Sequence, residues 1–505
     1  MNLIEELYAL QEEHGWLREE DLRALSERIR VPLYEIEGVS TFYPHFRRTP
    51  PPRLQVAACR DLPCHLADGG MALAKLKGYC AGKKGIEFHE VSCLGRCDGA
   101  PACAVNDEPM SAAQAEQCVK SGKPLPPAYR PVVVGRQQAS PSPSPRKWRC
   151  DPGEPYGVLR DVRKSGGIDS MIERIKKSGL KGMGGAGFPT GVKWDLVRKE
   201  KATPKYVICN ADESEPGTFK DRVILEELPH LVIEGIALGA LAVGAKEAWI
   251  YIRHEYGRER RAIERAIKDA PLDGLDLRVF VSPGGYILGE ETALLEALEG
   301  KRGEPRNKPP YPGTVGLHGK PTLINNVETF ALVPRIAKTG EHKYKFFSVS
   351  GDVAKPGVHE VEVGTTLRQL LDLCGGVLGK LKAFLPGGAS TGFLGADKID
   401  VVMDWKPLQE AGSALGSGAV VVVNDTRDML DLARNLTSFF RNESCGKCVP
   451  CRVGTEKAVI MIEGRKPEDL ALLAELNETL LETSICGLGQ AALTPVLSVL
   501  QRFKK

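Results

Sequence analysis

Glu443-Ser444-Cys445-Gly446-Lys447-Cys448-Val449-Pro450-Cys451, answered by a fourth cysteine in Thr483-Ser484-Ile485-Cys486-Gly487, decides how this chain is organised. Three thiols at i, i+3 and i+6 with a remote fourth make a Cys₄ set, and soft thiolates so spaced suit the four irons of a [4Fe–4S] cluster. A zinc site is the alternative on ligand chemistry, although zinc ribbons usually pair two CxxC knuckles. A cluster centre stores one electron at a time.

Working outward, the chain holds 14 cysteines. In a small secreted protein they would imply disulfides; clustered in 505 residues they imply metal. Cys59 and Cys64, then Cys93 and Cys97, form two separated pairs that suit a [2Fe–2S] rhomb, two thiolates to each iron. Cys80, Cys103, Cys118, Cys150, Cys209 and Cys374 remain, most of them expected as small buried apolar residues. Cys103, just beyond Cys97, is the one to watch.

Length predicts about three to five domains. Lys plus Arg total 68 against 65 Asp plus Glu, a net charge of +3 without a long basic tract, so nucleic acid is not expected as a partner. No uncharged apolar run reaches the roughly 18 residues of a membrane span, the longest being Ala411 to Asn424, and the acidic amino terminus does not resemble a signal peptide. The expectation is a soluble cytoplasmic protein with no membrane span.

Residues 1–47 read as a helical segment, with Leu3, Leu7 and Leu10 on one face and Leu22, Leu25 and Ile29 on another. Residues 48–123 then alternate strand and helix, enough for one small α/β domain with the cysteine pairs in its loops. Residues 124–156, rich in Pro and Ser, read as a linker. Within 157–344, Gly182-Met183-Gly184-Gly185-Ala186-Gly187-Phe188-Pro189-Thr190-Gly191 formally contains GxGxxG, but it follows the helical stretch Met171 to Leu180 and not a strand. Its glycines still let backbone N–H groups approach a phosphate or flat ring, with Lys193 to add charge; a ligand-free glycine loop is the alternative. Lys205 to Asn210, Ala245 to Ile252 and Asp276 to Val281 read as strands, the first running into an acidic loop where α/β sheets collect ligands. Residues 345–410 read as a β-rich unit without chemistry of its own, and 411–505 as a helical domain carrying the Cys445 set, with Leu430, Ala433, Leu436 and Phe440 on one face.

Five words in order, Gly182 to Gly191, Asn-Ala-Asp-Glu-Ser-Glu-Pro-Gly-Thr from Asn210, Gly-Glu-Glu-Thr-Ala-Leu from Gly289, Ile-Asn-Asn-Val-Glu-Thr from Ile324 and Glu-Ser-Cys-Gly-Lys-Cys-Val-Pro-Cys-Arg from Glu443, give 157–505 a specific resemblance. It resembles the flavin subunit of the NADH-oxidising arm of respiratory complex I and its soluble relatives. Residues 1–122 resemble that subunit's smaller partner, a helical segment with a thioredoxin-like [2Fe–2S] domain. The implied fold is multidomain α/β: that first domain, a Rossmann-like domain for FMN and NADH, a small ubiquitin-like β-rich domain and a helical bundle with the [4Fe–4S] cluster.

The resemblance implies that Gly182, Gly184, Gly185, Gly187, Lys193, Asn210, Asp212, Glu213, Tyr286, Gly289, Glu290, Asn325 and Asn326 hold FMN. It further implies that Phe188, Glu215, Glu291, Lys308 and Tyr311 face NAD, Phe188 stacking on a ring and Glu291 repelling a 2′-phosphate. Cys445, Cys448, Cys451 and Cys486 would bind the [4Fe–4S] cluster, and Cys59, Cys64, Cys93 and Cys97 the [2Fe–2S] cluster, on the flavin's opposite side. Met183, where many relatives carry Arg, and Leu196, where some carry an aromatic, depart from the pattern. No acid–base residue is needed, since hydride passes directly to flavin. The fused layout, ending soon after Cys486, resembles most the β subunit of a soluble NAD-dependent formate dehydrogenase, implying a molybdenum- or tungsten-containing α subunit and a small [2Fe–2S] γ subunit as partners. The diaphorase subunit of an NAD-reducing hydrogenase, complex I itself and a non-catalytic electron-relay scaffold are the alternatives.

Overall fold

The computed structural model describes residues 2–68, 70–124 and 147–503. Helices Leu3–His14, Glu19–Ile29 and Leu33–Phe42 open the chain. Leu3, Ile4, Leu7, Leu22 and Leu25 are buried, while Leu10 and Ile29 are only partly so. These helices pack on the flavin domain far along the chain: Asn2 Nδ2 donates to the Leu298 carbonyl at 2.7 Å, Tyr8 OH to that of Ser282 at 3.1 Å and Tyr43 OH to that of Lys301 at 2.6 Å.

The next domain is a four-stranded sheet of β1 (Leu54–Cys59), β2 (Ile86–Val91), β3 (Ala102–Val105) and β4 (Glu108–Ser111) in the order β2-β1-β3-β4. Only β1 and β2 run parallel. The β3–β4 hairpin goes beyond the sequence expectation; its two turn residues, Asn106 and Asp107, both take positive φ (50° and 63°), the conformation that a tight two-residue connection requires. Period-two alternation divides the sheet. One face, with Leu54, Val56, Ala58 and Cys103, packs under helices Met71–Cys80 and Ala112–Ser121, while the other gathers Ala57, Cys59, Cys64 and Ala104. Cys103 is therefore a core residue on the face away from the cysteine set.

Most of the expected linker, residues 125–146, lies outside the described residues. From Trp148 the chain makes defined contacts: Trp148 Nε1 donates to Glu227 at 2.8 Å, and the backbone N–H groups of Arg149 and Cys150 each reach the Glu360 carboxylate at 2.6 Å.

Strands β5 (Tyr206–Ala211), β6 (Glu247–Arg253), β7 (Asp276–Ser282) and β8 (Thr322–Asn326) form a parallel sheet in the order β7-β6-β5-β8. Val207, Cys209, Ile250, Ile252 and Leu323 face helices that include Pro229–Val243 and Val327–Thr339; Tyr206, Ile208, Tyr251, Phe280 and Ile324 face helix Glu291–Leu298 and the amino-terminal helices. Each fully buried large apolar side chain contributes about 1.5–3 kcal/mol, so two-sided burial makes this sheet the rigid frame of the molecule. The chain steps from β5 to β6 to β7 in one direction and returns to β8 on the far side of β5, leaving a crevice between the carboxyl ends of β5 and β8.

Strands β9 (Tyr344–Gly351), β10 (Gly357–Glu362), β11 (Leu381–Leu385), β12 (Leu394–Gly395) and β13 (Ala419–Asn424) form the β-rich unit in the order β10-β9-β13-β11-β12, β13 running parallel to β9. A parallel central pair with antiparallel flanks is a ubiquitin-like arrangement. The central strand β13 lies beyond residue 410, so this sheet extends into the segment expected to open the helical domain. Helices Met429–Asn442, Val449–Gly464, Pro467–Thr483, Gly487–Ala491 and Thr494–Arg502 complete the chain. The first buries Met429, Leu432, Ala433, Leu436, Phe439 and Phe440, with Leu430 only partly covered. No helix among the described residues is long and apolar enough to cross a membrane.

Candidate functional site

Asn210 and Asn326 sit directly opposite each other at the carboxyl ends of β5 and β8, at the point where strand order reverses. The glycine loop closes over them. Gly182 N donates to Phe188 O at 2.8 Å and Thr190 N to Leu180 O at 2.9 Å, tying the loop's two ends. A Cβ on Gly184 would come within 3.2 Å of Asn326 Cβ, and one on Gly187 (φ +67°) within 2.7 Å of the Trp405 ring. The missing Cβ atoms thus let the loop pack closely on Asn326 and Trp405 at the mouth of the crevice, and a glycine-rich backbone there is of the kind that accepts a flat ring and a phosphate. The loop precedes its strand, unlike a Rossmann turn, as its helical context indicated.

The other residues assigned to FMN divide into two groups. Lys193 crosses the end of β8, its Nζ 3.2 Å from Ile324 O and 3.6 Å from Glu291. Asn210 Nδ2 donates to Gly289 O at 2.9 Å, and Glu290 caps helix Glu291–Leu298 through Thr292 N and Ala293 N at 2.8 and 2.9 Å. Asp212, Glu213 and Asn325 turn away from the crevice. Asp212 accepts from Ser214 Oγ at 2.5 Å and Ser282 Oγ at 2.7 Å, and burial lifts its carboxyl to about 6. Glu213 accepts from Asp221 N, Arg222 N and Tyr256 OH, and burial raises it too. Asn325 shares the β-sheet face of Cys209 and accepts from Trp194 Nε1 at 2.8 Å. These three side chains shape the loop and helix around the crevice; only their backbone adjoins it.

Beneath Asn326 lies a buried charge network. Lys220 Nζ reaches Asp221 at 2.7 Å and Glu328 at 3.1 Å, and Asn326 Nδ2 donates to Asp221 at 2.5 Å. Lys345 joins Glu328 at 3.7 Å, and its Nζ lies 3.4 Å from the sulfur of Met183. Met183 is therefore turned inward, whereas Leu196 stands 56% exposed.

Phe188 and Tyr311 are exposed aromatics, 45% and 62%. Lys308 Nζ lies 2.8 Å from Glu290 and 3.9 Å from Glu291, so Glu291 sits between Lys193 and Lys308. Burial raises the carboxyl of Glu215, which accepts from the backbone N and Oγ of Ser390 at 2.8 and 2.7 Å. Ser390 belongs to the β-rich unit, as do Ser417, whose Oγ is 2.7 Å from Thr218 Oγ1, and Trp405, whose ring also lies 5.2 Å from Lys181 Nζ. The unit expected to lack chemistry thus walls the crevice.

Cys445, Cys448, Cys451 and Cys486 ring one void together with Ile287, Pro305, Lys447, Ile485 and Leu488. Cys448 stands at the cap of helix Val449–Gly464, whose N-terminal dipole favours an anionic centre. As free thiols Cys451 and Cys486 are pushed up to about 12 and about 11 by burial, a cost that binding to iron removes. In the other set, all four cysteines are buried, Cys93 and Cys97 sulfurs lie 3.4 Å apart, and Gly95 N and Ala102 N point at Cys93 and Cys64 sulfurs at 3.4 and 3.3 Å. Hydrogen bonds among these buried thiols hold Cys93 well below its usual range and push Cys59 and Cys97 well above theirs, a cost that binding to iron removes. Both sets fit their clusters.

One carboxylate joins the three places. Glu443 accepts from Ser92 Oγ, next to Cys93, and from Tyr286 N at 2.7 Å, while lying two residues from Cys445. Tyr286 packs on Phe439 with centroids 4.9 Å apart. Glu443 opens the cysteine motif that runs to Cys451, whereas Ser92 carries no sequence signal of its own.

Residues 1–121 match the thioredoxin-like [2Fe-2S] ferredoxin family, 175–335 the Nuo51 FMN-binding domain, 346–394 the SLBB domain and 431–505 the NADH-ubiquinone oxidoreductase-F iron-sulfur binding region. An F-type NADH-quinone oxidoreductase subunit of Rhizobium meliloti is 43% identical over 385 residues, 70% of this chain and 91% of that protein. Its counterpart in Aquifex aeolicus is 44% identical over 366 residues, 66% of this chain and 84% of that protein. The crystal structure of an NAD⁺-reducing [NiFe]-hydrogenase in its H₂-reduced state superposes with a TM-score of 0.87 at 31% identity, covering 99% of this chain and 92% of that one. The cofactors are accordingly FMN, one [2Fe–2S] and one [4Fe–4S] cluster, with NAD(H) as the dinucleotide, and the chain belongs to the family of F-type NADH-quinone oxidoreductase subunits.

Proposed function

We propose that this chain is the diaphorase subunit of a soluble NAD-linked assembly, passing electrons between NAD(H) and a separate catalytic subunit. The observation that carries this is the convergence of the crevice and both thiolate sets on Glu443. When bound, FMN takes electrons as a pair from a nicotinamide and releases them singly to iron–sulfur clusters. The protein's part is position. Gly182, Gly184, Gly185 and Gly187 present bare backbone, Asn210 and Asn326 border the crevice floor, and Lys193 and Lys308 supply the cations for phosphate groups. Phe188 and Tyr311 offer faces for the dinucleotide's rings, and Glu291 disfavours a 2′-phosphate by like charge.

The fused layout supports a formate dehydrogenase, with this chain as β subunit beside a molybdenum- or tungsten-containing α subunit and a small [2Fe–2S] γ subunit. Whole-chain likeness to an NAD⁺-reducing hydrogenase favours a second reading, in which hydrogen is the electron source. Absorbance of the anaerobic full chain before and after NADH tests the diaphorase: flavin bands that bleach support it, and cluster absorption without bleaching leaves only an electron relay. Purification with its native partners, followed by formate or H₂ as sole reductant for NAD⁺, separates the two assemblies.

A further inference from the structure

Arg253 ends strand β6 with its side chain only 3% exposed. One guanidinium nitrogen donates to the Glu213 carbonyl at 2.5 Å and another to the Cys93 carbonyl at 2.7 Å, joining the loop after β5 to the loop of a [2Fe–2S] ligand. Its remaining edge faces Glu255, at 3.0 and 2.7 Å, whose side chain is 18% exposed. Tyr256 covers the guanidinium at 5.1 Å, and its hydroxyl occupies the space where a Cβ on Gly95 would lie.

Docking alone does not account for this residue. The same loop is already held to the same domain by the buried Arg96–Glu259 pair at 2.7 and 3.1 Å and by Arg222–Asp98 at 2.7 Å. What Arg253 adds is polarity: a fixed cation against the ligand loop, with its counter-charge on the more exposed side.

We infer that Arg253 is a positioning residue that sets the reduction potential of the Cys59, Cys64, Cys93 and Cys97 centre. Reduction adds one electron to the centre, one ferric iron becoming ferrous while all four thiolates stay bound, so a nearby cation favours the reduced state. At an effective dielectric near 20, a unit charge roughly 12 Å away shifts such an equilibrium by about tenfold, equivalent to 59 mV for one electron, and a closer cation partly offset by Glu255 has an effect of that order.

The test is a dithionite titration of the full cluster-loaded chain, followed by electron paramagnetic resonance, with iron and sulfide quantified. Arg253→Gln is expected to lower the [2Fe–2S] midpoint by the equivalent of about tenfold, Arg253→Lys to restore most of it, and Glu255→Gln to raise it, with the [4Fe–4S] midpoint unmoved. A simple packing role would not give opposite signs. With iron content intact, unchanged midpoints in Arg253→Gln and Glu255→Gln, or shifts of the same sign, would overturn the assignment. Should Arg253→Gln fail to hold its cluster, Glu255→Gln decides alone: a rise supports the assignment, and no change or a fall refutes it.

Discussion

Gly187→Ala tests whether the glycine loop forms the flavin cradle through its contact with Trp405. The residue has φ +67°, and an added Cβ would lie 2.7 Å from the ring. A non-glycine residue there costs about 1–2 kcal/mol in conformation. Displacing a packed ring adds about 1–3 kcal/mol. Because the loop is tied at Gly182 and Thr190, relief has to come from moving Gly184 and Gly185 relative to Asn326. If the flavin-bound state alone needs the tight loop, about 2 kcal/mol already weakens FMN roughly 30-fold. Gly179→Ala is the matched control, with φ +71° and open space at its Cβ. Equilibrium titration of the flavin-free chain with FMN, read by quenching of flavin fluorescence, should show a large loss for Gly187→Ala and little for Gly179→Ala, with partial recovery in Gly187→Ala/Trp405→Ala. Equal FMN affinity in all variants would refute the reasoning.

Glu259→Leu removes the carboxylate that two Arg96 guanidinium nitrogens reach and should loosen the [2Fe–2S] domain by about 3–5 kcal/mol, whereas Arg96→Met/Glu259→Leu should be nearly neutral; protease sensitivity of the first 121 residues and thermal unfolding report both. Asp212 has its carboxyl raised from 3.8 to about 6, so the folded state binds more protons between those values. Its contribution is therefore full below about pH 4 and lost as pH rises through about 6, a change of about 3 kcal/mol that Asp212→Asn should flatten in a series of unfolding curves. Glu291→Gln should raise the NADPH to NADH ratio of kcat/KM about tenfold if like charge excludes the 2′-phosphate; an unchanged ratio would remove that role.

Much of the site was legible because its chemistry is local in sequence. Cys445, Cys448 and Cys451 lie within seven residues, and Gly182 to Gly191 states its own backbone needs. Side-chain direction was less legible. Asn325 and Asn326 look equivalent as letters, yet alternation sends one to Trp194 and the other to Asp221 in the charge network beneath the crevice. Strand β13 was hidden by its own burial, since a central strand covered on both faces reads as a uniform apolar run; the β-branched series Val420 to Val423 was the available signal. Ser390, Ser417, Trp405 and Arg253 reach the site only through tertiary packing, and no spacing rule could have found them.

The crevice is closed by segments far apart in the chain. Gly187 meets Trp405, Thr218 meets Ser417, and Glu215 meets Ser390. During synthesis the parallel sheet can assemble once β8 has emerged, but its ligand site then lacks a wall until nearly a hundred further residues follow. Flavin retention should therefore arise late in biogenesis, and a ribosome-stalled chain ending before β13 should carry a folded sheet that releases FMN. Cofactor loading then doubles as a checkpoint on completion of the carboxyl-terminal third, because contacts of long sequence separation are the slowest to form.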